Sequence, residues 1–177
     1  MTRQEFWNLI AETRRDDPYE HGEALTRRLT AMPEKEILSF GRHFEELVGA
    51  AYSWKLWGAA HLINGGCSDD GFEYFRHWLL LQGQTVYEAA LRDPDGLAAL
   101  EVEEDTAEAD INPAAAHEAK TGRDDYYELL QQQADGRELP DLGDGWDFED
   151  DAEMRKRYPR LFAMYFDVAG GEDGNDD

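Results

Sequence analysis

Apolar residues recur along this chain at spacings of three and four, the period that places side chains on one face of a helix. Thr2 followed by Glu5 is a capping-box pattern, and Phe6, Leu9 and Ile10 after it form the first stripe. Asp16-Asp17-Pro18 interrupts that stripe, with Pro18 placed for the first turn of a second helix carrying Leu25, Leu29 and Met32. Pro33 opens a third, whose stripe Ile37, Phe40, Phe44, Leu47/Val48 and Ala51 is the clearest amphipathic signal in the sequence. From Trp54 to Ile63 nearly every position is apolar, which predicts a helix covered on most sides.

Asn64-Gly65-Gly66 stops that helix, because glycine tolerates the left-handed backbone of a helix end. Ser68 or Asp69 can cap the next, which carries two stripes, Phe72/Phe75/Leu79 and Tyr74/Trp78/Leu81, and ends at Gly83. A short helix through Val86, Tyr87, Ala90 and Leu91 precedes a turn at Asp93-Pro94-Asp95-Gly96. Asn112-Pro113 to Gly122 reads as another short helix, and Asp124 or Asp125 starts one through Tyr126, Leu129 and Leu130. Residues 134–147, rich in Gly, Pro and Asp, read as a loop. The last element runs through Glu149–Arg157 and on past Pro159 to Phe166, and Arg155, Lys156, Arg157 and Arg160 are expected to pair with the acids of Glu149–Glu153. No stretch alternates as a strand does. The expectation is an all-α, single compact domain of about seven to nine helices. Trp54–Ile63 and Asp69–Gln82 would form its central antiparallel hairpin.

Charge divides the chain. Residues 1–100 hold 10 Lys/Arg against 16 Asp/Glu, and residues 101–177 hold 7 against 24. The reading is therefore one domain over 1–168, with an apolar-rich part at 1–100, an acidic part at 101–168, and a disordered acidic tail at 169–177. A net charge of −23 repels the phosphate backbone and anionic headgroups, so neither nucleic acid nor membrane is expected as a partner. A cationic protein is. One Cys and no apolar leader fit a reducing, cytoplasmic setting, and no run approaches the roughly 20 apolar residues of a membrane span.

Candidate chemistry gathers in residues 54–78, which hold three of the five Trp, two of the five His and the only Cys. Between the two helical patterns lies a polar turn, and the candidate binding residues are His61, Asn64, Gly65, Gly66, Cys67, Ser68, Asp69 and Asp70. Cys67 precedes a helix N-terminus, a position that lowers a thiol pKa, yet Asp69 and Asp70 push the other way and no base is identifiable. The His61–Cys67–His77 spacing matches no zinc pattern, so neither metal nor cofactor is expected. Capping and helix-dipole compensation explain the two aspartates without a ligand.

The opening Glu5-Phe6-Trp7-x-Leu9-Ile10 and the long run Trp54-x-Leu56-Trp57-Gly58-Ala59-Ala60-x-Leu62-Ile63-Asn64-Gly65-Gly66-Cys67-Ser68-Asp69-Asp70-Gly71-Phe72-x-Tyr74-Phe75-Arg76-x-Trp78-Leu79 resemble the bacterial domain-of-unknown-function family 4240 (DUF4240). The Ala89 to Pro94 region and the later Trp146-Asp-Phe148 and Tyr158-Pro-Arg-Leu161 resemble it too. The resemblance implies a cytosolic helical domain and carries no catalytic residues. Two functions follow as expectations. One is an acidic protein-interaction or regulatory module, immunity-like in kind; the other is an enzyme or small-ligand protein working at the Asn64–Asp70 turn. The acidic balance favours the first, and a DNA-mimic role stands third. Oligomeric state is left open.

Overall fold

The computed structural model describes residues 1–100, 102, 106, 110–133 and 141–166. The tail expected at 169–177 and most of the acidic run 101–105 lie outside the described residues. Along the chain come α1 (Arg3–Glu12), α2 (Pro18–Thr30), α3 (Glu34–Ala50), α4 (Trp54–Ile63), α5 (Asp69–Leu81) and α6 (Gln84–Arg92). A 3-10 helix (Pro94–Leu100) follows, then α7 (Pro113–Thr121), α8 (Tyr126–Gln133), α9 (Asp151–Arg157) and α10 (Pro159–Tyr165). The fold is all-α, with no strand among the described residues.

Most boundaries have the causes the sequence suggests. Thr2 and Glu5 form the reciprocal capping box, Asp17 caps α2 ahead of Pro18, Ser68 caps α5, and Asn112 caps α7 ahead of Pro113. Gly122 closes α7 in the left-handed region at φ 71°. Two differences raise the helix number above the expected seven to nine. The turn at residue 93 winds on as the 3-10 helix, and the last pattern splits in two. That split has a steric origin: Pro159 forces Tyr158 out of helical geometry, to φ −131° and ψ 62°.

The main core joins α1, α3, α5 and α6. Phe6 stacks on Phe40 at 4.6 Å, Trp7 meets Tyr87 at 5.4 Å, and the Tyr87 hydroxyl donates to the Leu47 carbonyl at 2.6 Å. A smaller cluster, Leu38, Tyr126 and Leu130, seats α8 on α3. Two glycines allow close approach, one in that contact and one where α2 meets the residue ahead of α7. A Cβ at Gly22 would strike the Asp110 carbonyl, and one at Gly41 would strike the Tyr126 ring. The second stripe expected on α5 is only partly covered, because Tyr74 faces solvent while Trp78 and Leu81 are buried.

The C-terminal helices close the other side. α4 makes its broader contact with α10 and a narrower one with α5. Tyr158 lies across Gly58, where an added Cβ would sit 2.5 Å from its hydroxyl, and that hydroxyl donates to the Lys55 carbonyl at 2.6 Å. Asp95, only 5% exposed, is the anchor. It accepts from the backbone N–H groups of Arg160 and Leu161 at 3.1 and 2.9 Å, and from Arg160 Nε at 2.9 Å. The expectation that Arg160 pairs with Glu149–Glu153 is thus corrected: Pro159 starts a new helix and carries Arg160 to Asp95 and Asp93. Arg157 and Lys156 do pair with Glu153, while Arg155 lies over Phe162 at 4.4 Å.

Asp95→Ala leaves those donors without an acceptor and should cost about 2–4 kcal/mol in denaturant unfolding. Asp93→Asn removes only an exposed ion pair and should cost about 0.5 kcal/mol or less. Equal losses from the two would show that burial at Asp95 plays no part.

Candidate functional site

The turn between α4 and α5 is held by three kinds of bond. Asn64 ends α4 by donating its N–H to the Ala60 carbonyl at 3.0 Å. Gly65 and Gly66 then take φ of 62° and 128°, and the Gly66 N–H returns to the His61 carbonyl at 2.8 Å. Nothing lies within 4 Å of a Cβ built at either glycine, so backbone conformation alone demands them. The Ser68 hydroxyl accepts from the Gly71 N–H at 3.2 Å to start α5. Trp57 ties the ends together: its ring stacks on Phe72 at 4.9 Å and its Nε1 donates to the Cys67 carbonyl at 2.9 Å.

The candidate residues face different surroundings. His61 lies beside Phe148, ring centroids 5.3 Å apart, with Nε2 3.5 Å from Glu149. Asn64 exchanges two hydrogen bonds with the buried Thr106, at 3.1 and 3.2 Å. Ser68, Asp69 and Asp70 are exposed, the two aspartates in the first turn of α5 where its dipole favours them. The Cys67 sulfur is 3.7 Å from the Ser68 carbonyl. Burial pushes its thiol up to about 11, the Asp69 charge adds to that, and hydrogen bonds from Asn64 and Trp57 only partly oppose it. At neutral pH it is a protonated thiol and a poor nucleophile. No group of three or more His, Cys, Asp or Glu among the described residues is arranged to hold a metal.

Two features went unread in the sequence. Residues 141–150 lie as a strap on α4: the Trp54 N–H donates to the Leu142 carbonyl at 3.0 Å and its indole Nε1 to the Trp146 carbonyl at 3.1 Å. Phe148 stacks on Trp54 at 4.8 Å, and Arg157 covers Trp146 at 3.8 Å. The second is a cleft of about 150 Å³ between α3, α5, the residues before α7 and the start of α8, with Glu45, Glu73, Asp110, Tyr126 and Tyr127 around it. Its residues come from four separate segments, and no spacing in the sequence signals it. A larger hollow of about 340 Å³, beside Glu34, Leu38 and Arg42, has its Ser39 hydroxyl already bonded to Met1 and Arg42.

The sequence model of the family described as "Protein of unknown function (DUF4240)" matches residues 1–136. The chain belongs to that family. The match runs through α8 and stops before Trp146–Phe148 and Tyr158–Leu161, so the strap, α9 and α10 lie outside the DUF4240 part, although the strap and α10 pack on its α4. No curated protein and no solved structure matches the chain.

Thiol alkylation followed against pH should show Cys67 reacting slowly at pH 7–9 and accelerating towards a midpoint near 11. A midpoint below 9, the ordinary value, would mean an activated thiol. A chain ending at residue 136 should expose Trp54 and Gly58, bind a hydrophobic dye and lose its cooperative melt. A sharp melt at an unchanged midpoint would show that the DUF4240 part does not need the segment packed on it.

Proposed function

We propose that this DUF4240 protein is an interaction module that binds a cationic protein through its acidic surface, with a regulatory, immunity-like role where the partner's own basic site is covered. The observation that carries it is the solvent-facing carboxylate surplus. Asp141, Asp144, Asp147, Glu149, Asp150 and Asp151 all stand exposed along and just after the strap. Several basic side chains are meanwhile engaged within the chain, as in Arg28–Glu12, Arg123–Glu34, Arg157–Glu153 and Arg160–Asp95. Such a surface attracts and orients a basic partner before contact and repels acidic ones. An enzyme or small-ligand protein using the Asn64–Asp70 turn has less support, since the side chains there are occupied with different neighbours and the thiol is held protonated.

Capture on the immobilised protein should retain a specific basic partner at about 0.1 M salt, where the screening length is about 10 Å, and release it at about 1 M, where it is about 3 Å. Absence of a basic partner at low salt, or retention unchanged at high salt, defeats the proposal.

A further inference from the structure

The turn between α4 and α5 carries a chemistry of its own that needs no ligand. Asn64 is followed by Gly65, the only Asn-Gly step in the sequence. An asparagine side chain is open to attack by the backbone nitrogen of the next residue, and a glycine there puts no side chain in the way. The other asparagines among the described residues lack that opening. Asn112 precedes Pro113, whose nitrogen has no hydrogen to lose, and Asn8 precedes the branched Leu9 inside α1. Gly65 is exposed, and its nitrogen is only loosely engaged, 3.5 Å from the Leu62 carbonyl oxygen.

Two features of the fold hold the reaction back. At ψ 2° the Gly65 nitrogen eclipses the Asn64 nitrogen, so it stands clear of the Asn64 Cβ that ring closure must bring it to eclipse. The other feature is Thr106. Its hydroxyl accepts from the Asn64 Nδ2 at 3.1 Å and donates to the Asn64 Oδ1 at 3.2 Å, which fixes both ends of the amide. Thr106 is itself buried, so the amide is tied to a closed part of the fold from 42 positions along the chain.

We propose that Asn64–Gly65 is a self-modification site, a deamidation step that the Thr106 hydroxyl holds closed. Once Thr106 lets go, the backbone at Asn64 rotates and the Gly65 nitrogen reaches Asn64 Cγ. That nitrogen bonds to Cγ and gives up its proton, and the Cγ–Nδ2 bond breaks to release ammonia. Water then opens the cyclic imide at either carbonyl, leaving aspartate or isoaspartate. No oxidant, metal or second protein takes part. Either product puts a carboxylate at the C-terminal end of α4, where the helix dipole disfavours negative charge. Either also deprives the Thr106 hydroxyl of its amide donor. Isoaspartate further lengthens the main chain where the Asn64 N–H closes α4 on the Ala60 carbonyl. The change runs one way, so the turn keeps a record of how long it has been open.

The test incubates the full chain at neutral to mildly alkaline pH beside a free peptide of residues 62–66. Conversion is followed by peptide mass mapping with detection of isoaspartate. Asn64 in the folded chain should convert about tenfold or more slowly than in the peptide, the hold expected of two hydrogen bonds. Thr106→Val should raise that rate towards the peptide's, while Thr106→Ser, which keeps the hydroxyl, should stay slow. Leu130→Ala, which loosens the α3–α8 contact instead, should leave Asn64 slow and so separates a local hold from general unfolding. Asn8 and Asn112 should remain intact over the same period. Asn64→Asp, which stands for one product, should melt below the native chain. Equal rates in chain and peptide, Thr106→Val no faster than Thr106→Ser or Leu130→Ala, or an Asn64→Asp chain that melts no lower overturns the proposal.

Discussion

Taking a carboxylate out of water costs several kcal/mol unless donors replace what water gave. Asp95 meets that condition with two backbone N–H groups and a guanidinium, all supplied by the start of α10. The bond network therefore exists only when α10 is docked, and α10 docked is what brings Leu161 and Phe162 into the core. Tyr158, one residue before that helix, closes over Gly58 and bonds the backbone of α4. The strap then has a firm surface to lie on. One buried charge thus fixes the position of residues 141–166, which the family match does not reach, and with them the surroundings of Trp54, Trp57 and His61.

Where a boundary has a local cause, the sequence shows it. Thr2 with Glu5, Asp17 with Pro18, Asn112 with Pro113 and Gly122 each act within one turn, and each is visible as a short pattern. Asp95 is the contrary case. In sequence it belongs to an Asp-Pro-Asp-Gly run, the composition of an exposed turn, and only a residue 65 positions away gives it its role. Arg160 is illegible for the same reason, because helical spacing offers it nearby acids and its actual partner is distant. Trp54 and Trp57 look like plain core residues in a continuous apolar run. In the fold they are half-buried, one under the strap and one bracing the turn to α5.

The same distinction separates the two candidate sites. The Asn64–Asp70 turn is conspicuous because its unusual residues are consecutive, yet most of them serve the fold. Gly65 and Gly66 supply the backbone conformation, Ser68 caps α5, and Asn64 bonds Thr106. The cleft at Glu45, Glu73 and Asp110 is inconspicuous because each residue is ordinary where it stands on its own segment. Only the packing of α3, α5 and α8 brings Glu45, Glu73 and Asp110 around one cleft.

The hydrogen bond from Tyr158 to Lys55 also has a consequence in time, since it joins residues 103 positions apart. A chain emerging from the ribosome presents α4, with Trp54 and Trp57, well before the strap and α10 exist to cover it, and synthesis at about 5–20 residues per second makes that wait a matter of seconds. Contacts of such long range form late even in the free chain, because loop closure precedes any return from them. During that interval the tryptophan face is a sticky surface on a nascent protein, open to chaperones and to other chains. Most of the acidic surplus lies in residues 101–177 and emerges only after that face, so like-charge repulsion builds up during the interval and is weakest at its start.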